Sequence, residues 1–239
     1  MKNAPPKRQR KLDPHLITAP YIAPHIGELF RSLRMKLLLS LHEEKDKSVI
    51  ISSLDAEVGK STLSANLAVS CAQQGMKTLL VDGDLRRGVL HNTFVVEKSP
   101  GLSDILFSDT PCTDATMQPL LQTTHVPNLR VLACGSNNAN PTEMLASQRF
   151  TLVKNLLSSL TDILIFDSVP MGVAMDSVVI HDRFSRYIFV ARAGKTDIVA
   201  LQKKLDEFPP LKKKTAGIIL NRARLSRAKT SYYYMYHRG

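Results

Sequence analysis

The sequence predicts an α/β fold: a single domain on a mostly parallel sheet, with helices on both faces. Three observations predict it. Short apolar runs of strand length recur along the chain, stretches with helical spacing separate most of them, and no internal repeat or second domain interrupts the alternation. A sheet of this kind is covered on both faces and takes its ligands at the carboxyl ends of its strands.

The elements follow in order. Residues 1–20, which include "MKNAPPKRQRKLDPH", are Pro-rich, basic and aperiodic, and read as a flexible arm. In "HIGELFRSLRMKLLLSL" the apolar residues Ile26, Leu29, Phe30, Leu33, Leu37 and Leu38 recur at helical spacing. The run "SVIISS" is a strand, and "KSTLSANLAVSCAQQ" is a helix that ends near Gly75. Five more strands are expected at "KTLLVD", "NLRVLAC", "DILIFD", "RYIFVARA" and "TAGIIL". Helices are expected at "TEMLASQRFTLVKNLLSSL" and "DIVALQKKLDEF". The folded domain spans 21–228, and a tyrosine-rich tail occupies 229–239.

Composition narrows the function classes. The chain has 239 residues, 44% of them hydrophobic, enough for a sizeable core. Cys71, Cys112 and Cys134 show neither metal nor redox spacing, which suits a reducing cytoplasm. No apolar run approaches the ~20 residues that span a bilayer, and the N-terminus lacks the form of a signal peptide. The net charge of +11 is concentrated at the two ends and favours anionic partners, such as acidic lipid surfaces, nucleotides or phosphorylated segments. No helix-turn-helix, zinc finger or aromatic-basic motif accompanies it, which argues against nucleic acid as the partner.

Three segments at strand ends carry chemistry. "GKST" at 59–62 lies between a strand and a helix and forms the back half of a P-loop, a turn that aims backbone N–H groups at phosphates. There Gly59, Lys60, Ser61 and Thr62 would hold a nucleotide, with Lys60 on its outer phosphates and the Ser61 hydroxyl on Mg²⁺. In "LLVDGDLRR", Asp82 and Asp84 end a strand and suit metal binding or proton acceptance; an Asp-Gly turn with solvated acids is the alternative. Asp167 ends "DILIFD" and suits Mg²⁺, or the capping of a turn. All three segments meet at one crevice. At the other end of the chain, Tyr232, Tyr233, Tyr234 and Tyr236 are four of only six tyrosines. They read either as an adhesive tail or as substrates.

Beyond about residue 25 the chain resembles the bacterial tyrosine autokinases (BY-kinases) of exopolysaccharide synthesis and export. "GKST" resembles their Walker A motif, "LLVDGDLRRGVLHNTF" their Walker A′ and "ILIFDSVP" their Walker B. "ELFRSLR" resembles their ring-forming helix, through Glu28, Arg31 and Arg34, and "YYYMY" their autophosphorylated tail. The resemblance implies a P-loop NTPase-like kinase domain with ATP as donor and Mg²⁺ as cofactor. It implies Lys60, Asp82 and Asp84 as catalytic residues, Ser61, Asp82 and Asp167 at the metal, and Asn221 of "ILNR" at the adenine. It further implies a homo-oligomeric ring, phosphoryl transfer to a neighbour's tail, a cognate tyrosine phosphatase, and a membrane adaptor that regulates polysaccharide polymerisation. The chain would then be cytoplasmic and recruited to the inner face of the plasma membrane. The loop departs from the family's glycine-rich form at Ala56-Glu57-Val58, which points to weakened ATP binding. An inactive assembly subunit and a ParA/MinD-like positioning ATPase are the alternative functions.

Overall fold

The computed structural model describes residues 13–20, 22–136 and 140–223. In chain order the elements are α1 (Pro24–Ser40), β1 (Ser48–Ser53), α2 (Lys60–Gln73), β2 (Thr78–Asp82), α3 (Leu90–Phe94), α4 (Leu102–Phe107) and α5 (Asp114–Met117). Then come β3 (Gln122–Thr123), β4 (Leu129–Leu132), α6 (Pro141–Ala146), α7 (Gln148–Ser159), β5 (Ile163–Asp167) and α8 (Asp176–Val179). The chain continues through β6 (Arg186–Arg192), α9 (Ile198–Asp206), α10 (Pro209–Lys214) and β7 (Thr215–Asn221). The seven strands lie in the order β3-β4-β2-β5-β1-β6-β7. Every neighbouring pair is parallel except β3 with β4.

Alternation along each strand sorts side chains between two cores. Ile50, Leu79, Val81, Leu164, Phe166, Tyr187 and Phe189 enter the layer with Phe150 and Val153 of α7 and Leu201 and Leu205 of α9. Val49, Ile51, Leu80, Ile163, Ile165, Ile188 and Val190 enter the layer with α1, α2 and α3. The helices therefore cover both faces, as expected. The β1, β2 and β5 side chains are buried throughout, which is why these strands read as continuous apolar runs rather than alternating ones.

Several details differ from the sequence reading. The segment 13–20, read as part of a mobile arm, packs on the domain from Asp13 onward. Leu16 is 2% exposed, and Asn66 of α2 ties down its neighbours by accepting from the Ile17 N–H (2.6 Å) and donating to the His15 carbonyl (2.9 Å). The long helix expected through "TEMLASQRF" is two helices, because Ser147 turns extended and caps α7 by accepting from the Phe150 N–H. The edge strand β7 leaves Ile218 and Leu220 exposed among the described residues. Among the described residues, no helix is long and apolar enough to cross a membrane.

Candidate nucleotide site at the strand ends

The loop 54–59 joins β1 to α2 and makes a tight turn. Gly59 has φ 90° and Glu57 has φ 60°, so both lie in the left-handed region. Glycine adopts that region freely. Glu57 does so at a cost of about 1–2 kcal/mol, which the surrounding fold holds in place. A Cβ at Gly59 would stand 2.3 Å from the Asn221 amide nitrogen, so a larger residue would also displace that side chain. The N-terminal N–H groups of α2, a fourteen-residue helix, are thereby presented as an anion site.

Beside the loop lies a cleft of about 460 Å³, lined by Gly59, Lys60, Ser61 and Thr62, with Asp84, Arg86, Arg87 and Val169 on other walls. That volume suits a nucleotide-sized ligand. A larger hollow of about 640 Å³, lined by Lys45, Lys47, Met76 and Asp162, sits at the opposite, amino ends of the strands. The chemistry gathers at the carboxyl ends, where ligands of open parallel sheets bind.

The buried charges decide what the cleft can do. Asp82 and Asp167 are partners in the β2–β5 register and both are fully buried. Lys60, only 7% exposed, donates to Asp167 Oδ1 at 2.7 Å, and the Ser64 hydroxyl donates to the same oxygen at 2.9 Å. Asp82 Oδ2 accepts the Leu90 N–H at 3.0 Å. Asp167 Oδ2 and Asp82 Oδ1 are buried without a hydrogen-bond partner among the described residues. Burial, followed by repulsion from Asp167, pushes the Asp82 carboxyl up to about 7. Two buried carboxylates with orphan oxygens, facing one ammonium, form a site short of positive charge. A hard oxygen-seeking cation beside the Ser61 hydroxyl fits that deficit, so the residues present suit Mg²⁺.

The structure thus brings Gly59, Lys60, Ser61, Thr62, Asp82, Asp84 and Asp167 together. Asp84 lines the cleft and also holds its own turn, accepting the Arg86 and Arg87 N–H groups at 3.2 and 2.8 Å. Lys60 was expected to face ligand rather than core; in the structure it is a buried ion-pair partner. Asn221 touches the loop rather than the cleft wall, donating to the Val58 carbonyl at 2.8 Å. On α1, Glu28 and Arg31 pair with each other, while Arg34 donates to the Ser70 carbonyl of α2 at 2.6 Å. Tyr232, Tyr233, Tyr234 and Tyr236, expected as acceptors, lie outside the described residues.

Sequence reasoning missed Ser64, whose serine inside an apolar helix gave no signal of its own. It also passed over Arg86, which pairs with the buried Asp176, donates to the Thr142 hydroxyl at 3.1 Å and contributes to the cleft wall. The signal for Arg86 was present in "DGDLRR", two residues past Asp84.

Comparison with known proteins identifies the family. The CobQ/CobB/MinD/ParA nucleotide binding domain family matches residues 49–238. The tyrosine-protein kinase YwqD of Bacillus subtilis is 31% identical over 87% of this chain and 86% of its own length. The tyrosine-protein kinase CpsD of Streptococcus agalactiae is 32% identical over 82% of each. Among solved structures, the chimerical protein CapA2B2 superposes with a TM-score of 0.79 at 28% identity, over 90% of this chain and 92% of that one. The septum site-determining protein MinD of Pyrococcus horikoshii, complexed with Mg-ADP, gives 0.59 at 25% identity over 76% and 72%. The chain belongs to the CobQ/CobB/MinD/ParA nucleotide-binding family and, within it, to the bacterial tyrosine kinases.

Proposed function

We propose that this protein is an ATP-dependent protein-tyrosine autokinase. It transfers phosphate to Tyr232, Tyr233, Tyr234 and Tyr236 of a neighbouring copy and thereby regulates exopolysaccharide polymerisation or export with a membrane partner. The observation that carries this reading is the pair of buried carboxylates, Asp82 and Asp167, set against Lys60 at the mouth of an anion-binding helix.

The roles follow from position. The α2 N-terminus and Lys60 receive the phosphates, and Lys60 must leave Asp167 to do so. Asp82, Asp167 and the Ser61 hydroxyl are the oxygen donors that would hold Mg²⁺, which when bound neutralises charge on the phosphates. Asp84, which lines the cleft, accepts the tyrosine hydroxyl proton in this reading as the phenol oxygen bonds to the transferred phosphoryl group and ADP departs. For Asn221 to contact adenine it must release the Val58 carbonyl. Asp55 and Glu57 bring negative charge to the cleft wall, so binding weaker than in a glycine-rich loop is part of the reading.

Intact mass of the purified chain, with and without ATP·Mg²⁺, tests the reading. Phosphate additions that map within 232–236 are expected. An unchanged mass alongside measurable nucleotide binding would leave an ATPase or assembly subunit instead.

A further inference from the structure

Asp82 belongs to a second cluster, with residues that are not part of the phosphate-binding loop. Three ligand atoms, one each from Asp82, His91 and Cys134, lie within 4.8 Å of one another. They come from three separate places in the fold. Asp82 ends β2, His91 is in the first turn of α3, and Cys134 follows β4.

The donor set is informative. Mg²⁺ takes oxygens and would leave the imidazole and thiol idle, whereas Zn²⁺ uses carboxylate, imidazole and thiolate together. Ligand atoms around tetrahedral Zn²⁺ stand about 3.3–3.6 Å apart, so the side chains need to close by roughly 1 Å. Asp82 brings a fully buried carboxylate whose Oδ2, which accepts the Leu90 N–H at 3.0 Å, lies near Gly88 on the side of Cys134. Cys134 is 1% exposed, and its thiol donates to the Gly135 carbonyl at 3.4 Å. Gly88 keeps the cluster open: a Cβ there would stand 2.5 Å from Cys134 Sγ and 2.7 Å from Asp82 Oδ2.

We propose that Asp82, His91 and Cys134 form a binding site for a thiophilic divalent cation such as Zn²⁺, and that filling it withdraws Asp82 from the nucleotide cleft. Binding replaces the thiol proton, which passes to solvent, with a sulfur–metal bond, and a solvent molecule completes the fourth position. The second half of the proposal rests on the nucleotide reading of the cleft. The first half does not.

Cobalt(II) titration of the full-length chain under reducing conditions tests the site. One equivalent is expected to give a thiolate-to-metal charge-transfer band that persists in Cys112→Ser and disappears in Cys134→Ala. His91→Gln should weaken cobalt binding at least about 100-fold, more than the loss of an outer-shell partner would. Circular dichroism checks that each variant is folded, and half-buried His91 decides the matter if Cys134→Ala does not fold. No band at stoichiometric cobalt, or one that survives Cys134→Ala in a folded chain, overturns the site.

Preloading with one equivalent of Zn²⁺ should then weaken Mg·ADP binding by tenfold or more in the wild type. His91→Gln should abolish that sensitivity without changing zinc-free affinity. Zinc-loaded chain that binds Mg·ADP as tightly as zinc-free chain would overturn the withdrawal of Asp82. A chain that binds no Mg·ADP even without zinc would instead sink the nucleotide reading, with the cobalt result standing.

Discussion

Replacing Lys60 with methionine should cost stability as well as activity, and the structure sets the size. Asp167 is fully buried, and its only other bond in the site is from the Ser64 hydroxyl, at the oxygen that Lys60 also holds. Asp82 stands beside it in the register with no cation of its own. Breaking a buried pair by removing one partner costs about 3–5 kcal/mol, roughly 6–20 °C in Tm for a chain of this length. Adding Asp167→Asn should recover most of it at pH 8. Thermal unfolding of the wild type, both single variants and the double variant at pH 8 reads the whole cycle. A Lys60→Met Tm within 2 °C of wild type at pH 8 (roughly 1 kcal/mol or less) would refute the claim that Lys60 neutralises this site.

Asp82 gives a second pH signature. Because burial and Asp167 raise its carboxyl to about 7, the wild type should lose stability from the ordinary carboxylate range up through neutral pH. Asp82→Asn should match the wild type near pH 4 and exceed it by about 5 °C at pH 8, less than the full ~4 kcal/mol because the amide's N–H groups need partners; equal melting at pH 8 would mean Asp82 is ionised there without strain. Glu57→Gly relieves about 1–2 kcal/mol of left-handed strain and adds about 0.5–1 kcal/mol of backbone entropy cost. Stability should thus rise by no more than about 1.5 kcal/mol while calorimetry shows ATP binding several-fold tighter; unchanged or weaker binding would show that this carboxylate does not oppose the phosphates. On α1, Glu28→Ala with Arg31→Ala removes a partly exposed pair worth under about 1 kcal/mol, so any fall in particle mass by light scattering would report assembly alone. Arg34→Ala should instead destabilise the monomer by about 1.5–3 kcal/mol through the lost bond to the Ser70 carbonyl, and a Tm equal to wild type would contradict that anchoring.

The sheet was legible because its strands are buried on both faces. "SVIISS", "LLVD" and "ILIFD" could hardly be placed anywhere but a covered parallel sheet, and their order alone put Lys60, Asp82 and Asp167 in one crevice. What the sequence hid were effects of tertiary contact. Leu16 docks from a segment whose prolines and charges suggest an arm, because Asn66, forty-nine residues from Ile17, fixes its neighbours. The two-residue β3 is too short to carry any periodicity. Lys60 looked like a ligand-facing cation because its motif says so; that it pairs with Asp167 depends on β5 lying between β1 and β2. His91 and Cys134 are forty-three positions apart and follow no metal-binding spacing, so their meeting at Asp82 is visible only in three dimensions.

The central claim, that this cleft phosphorylates the tyrosine tail of another copy, is tested most directly by separating donor from acceptor. The acceptor is Lys60→Met with Asp167→Asn, which keeps the tail and avoids leaving a buried carboxylate unpaired. The donor keeps its cleft and carries Tyr→Phe at 232, 233, 234 and 236. After incubation with ATP·Mg²⁺, intact mass should show no phosphate on either chain alone, and phosphate on the acceptor within 232–236 when the two are mixed. A mixture that stays unmodified while the donor binds ATP, or phosphate found on the donor, would contradict it.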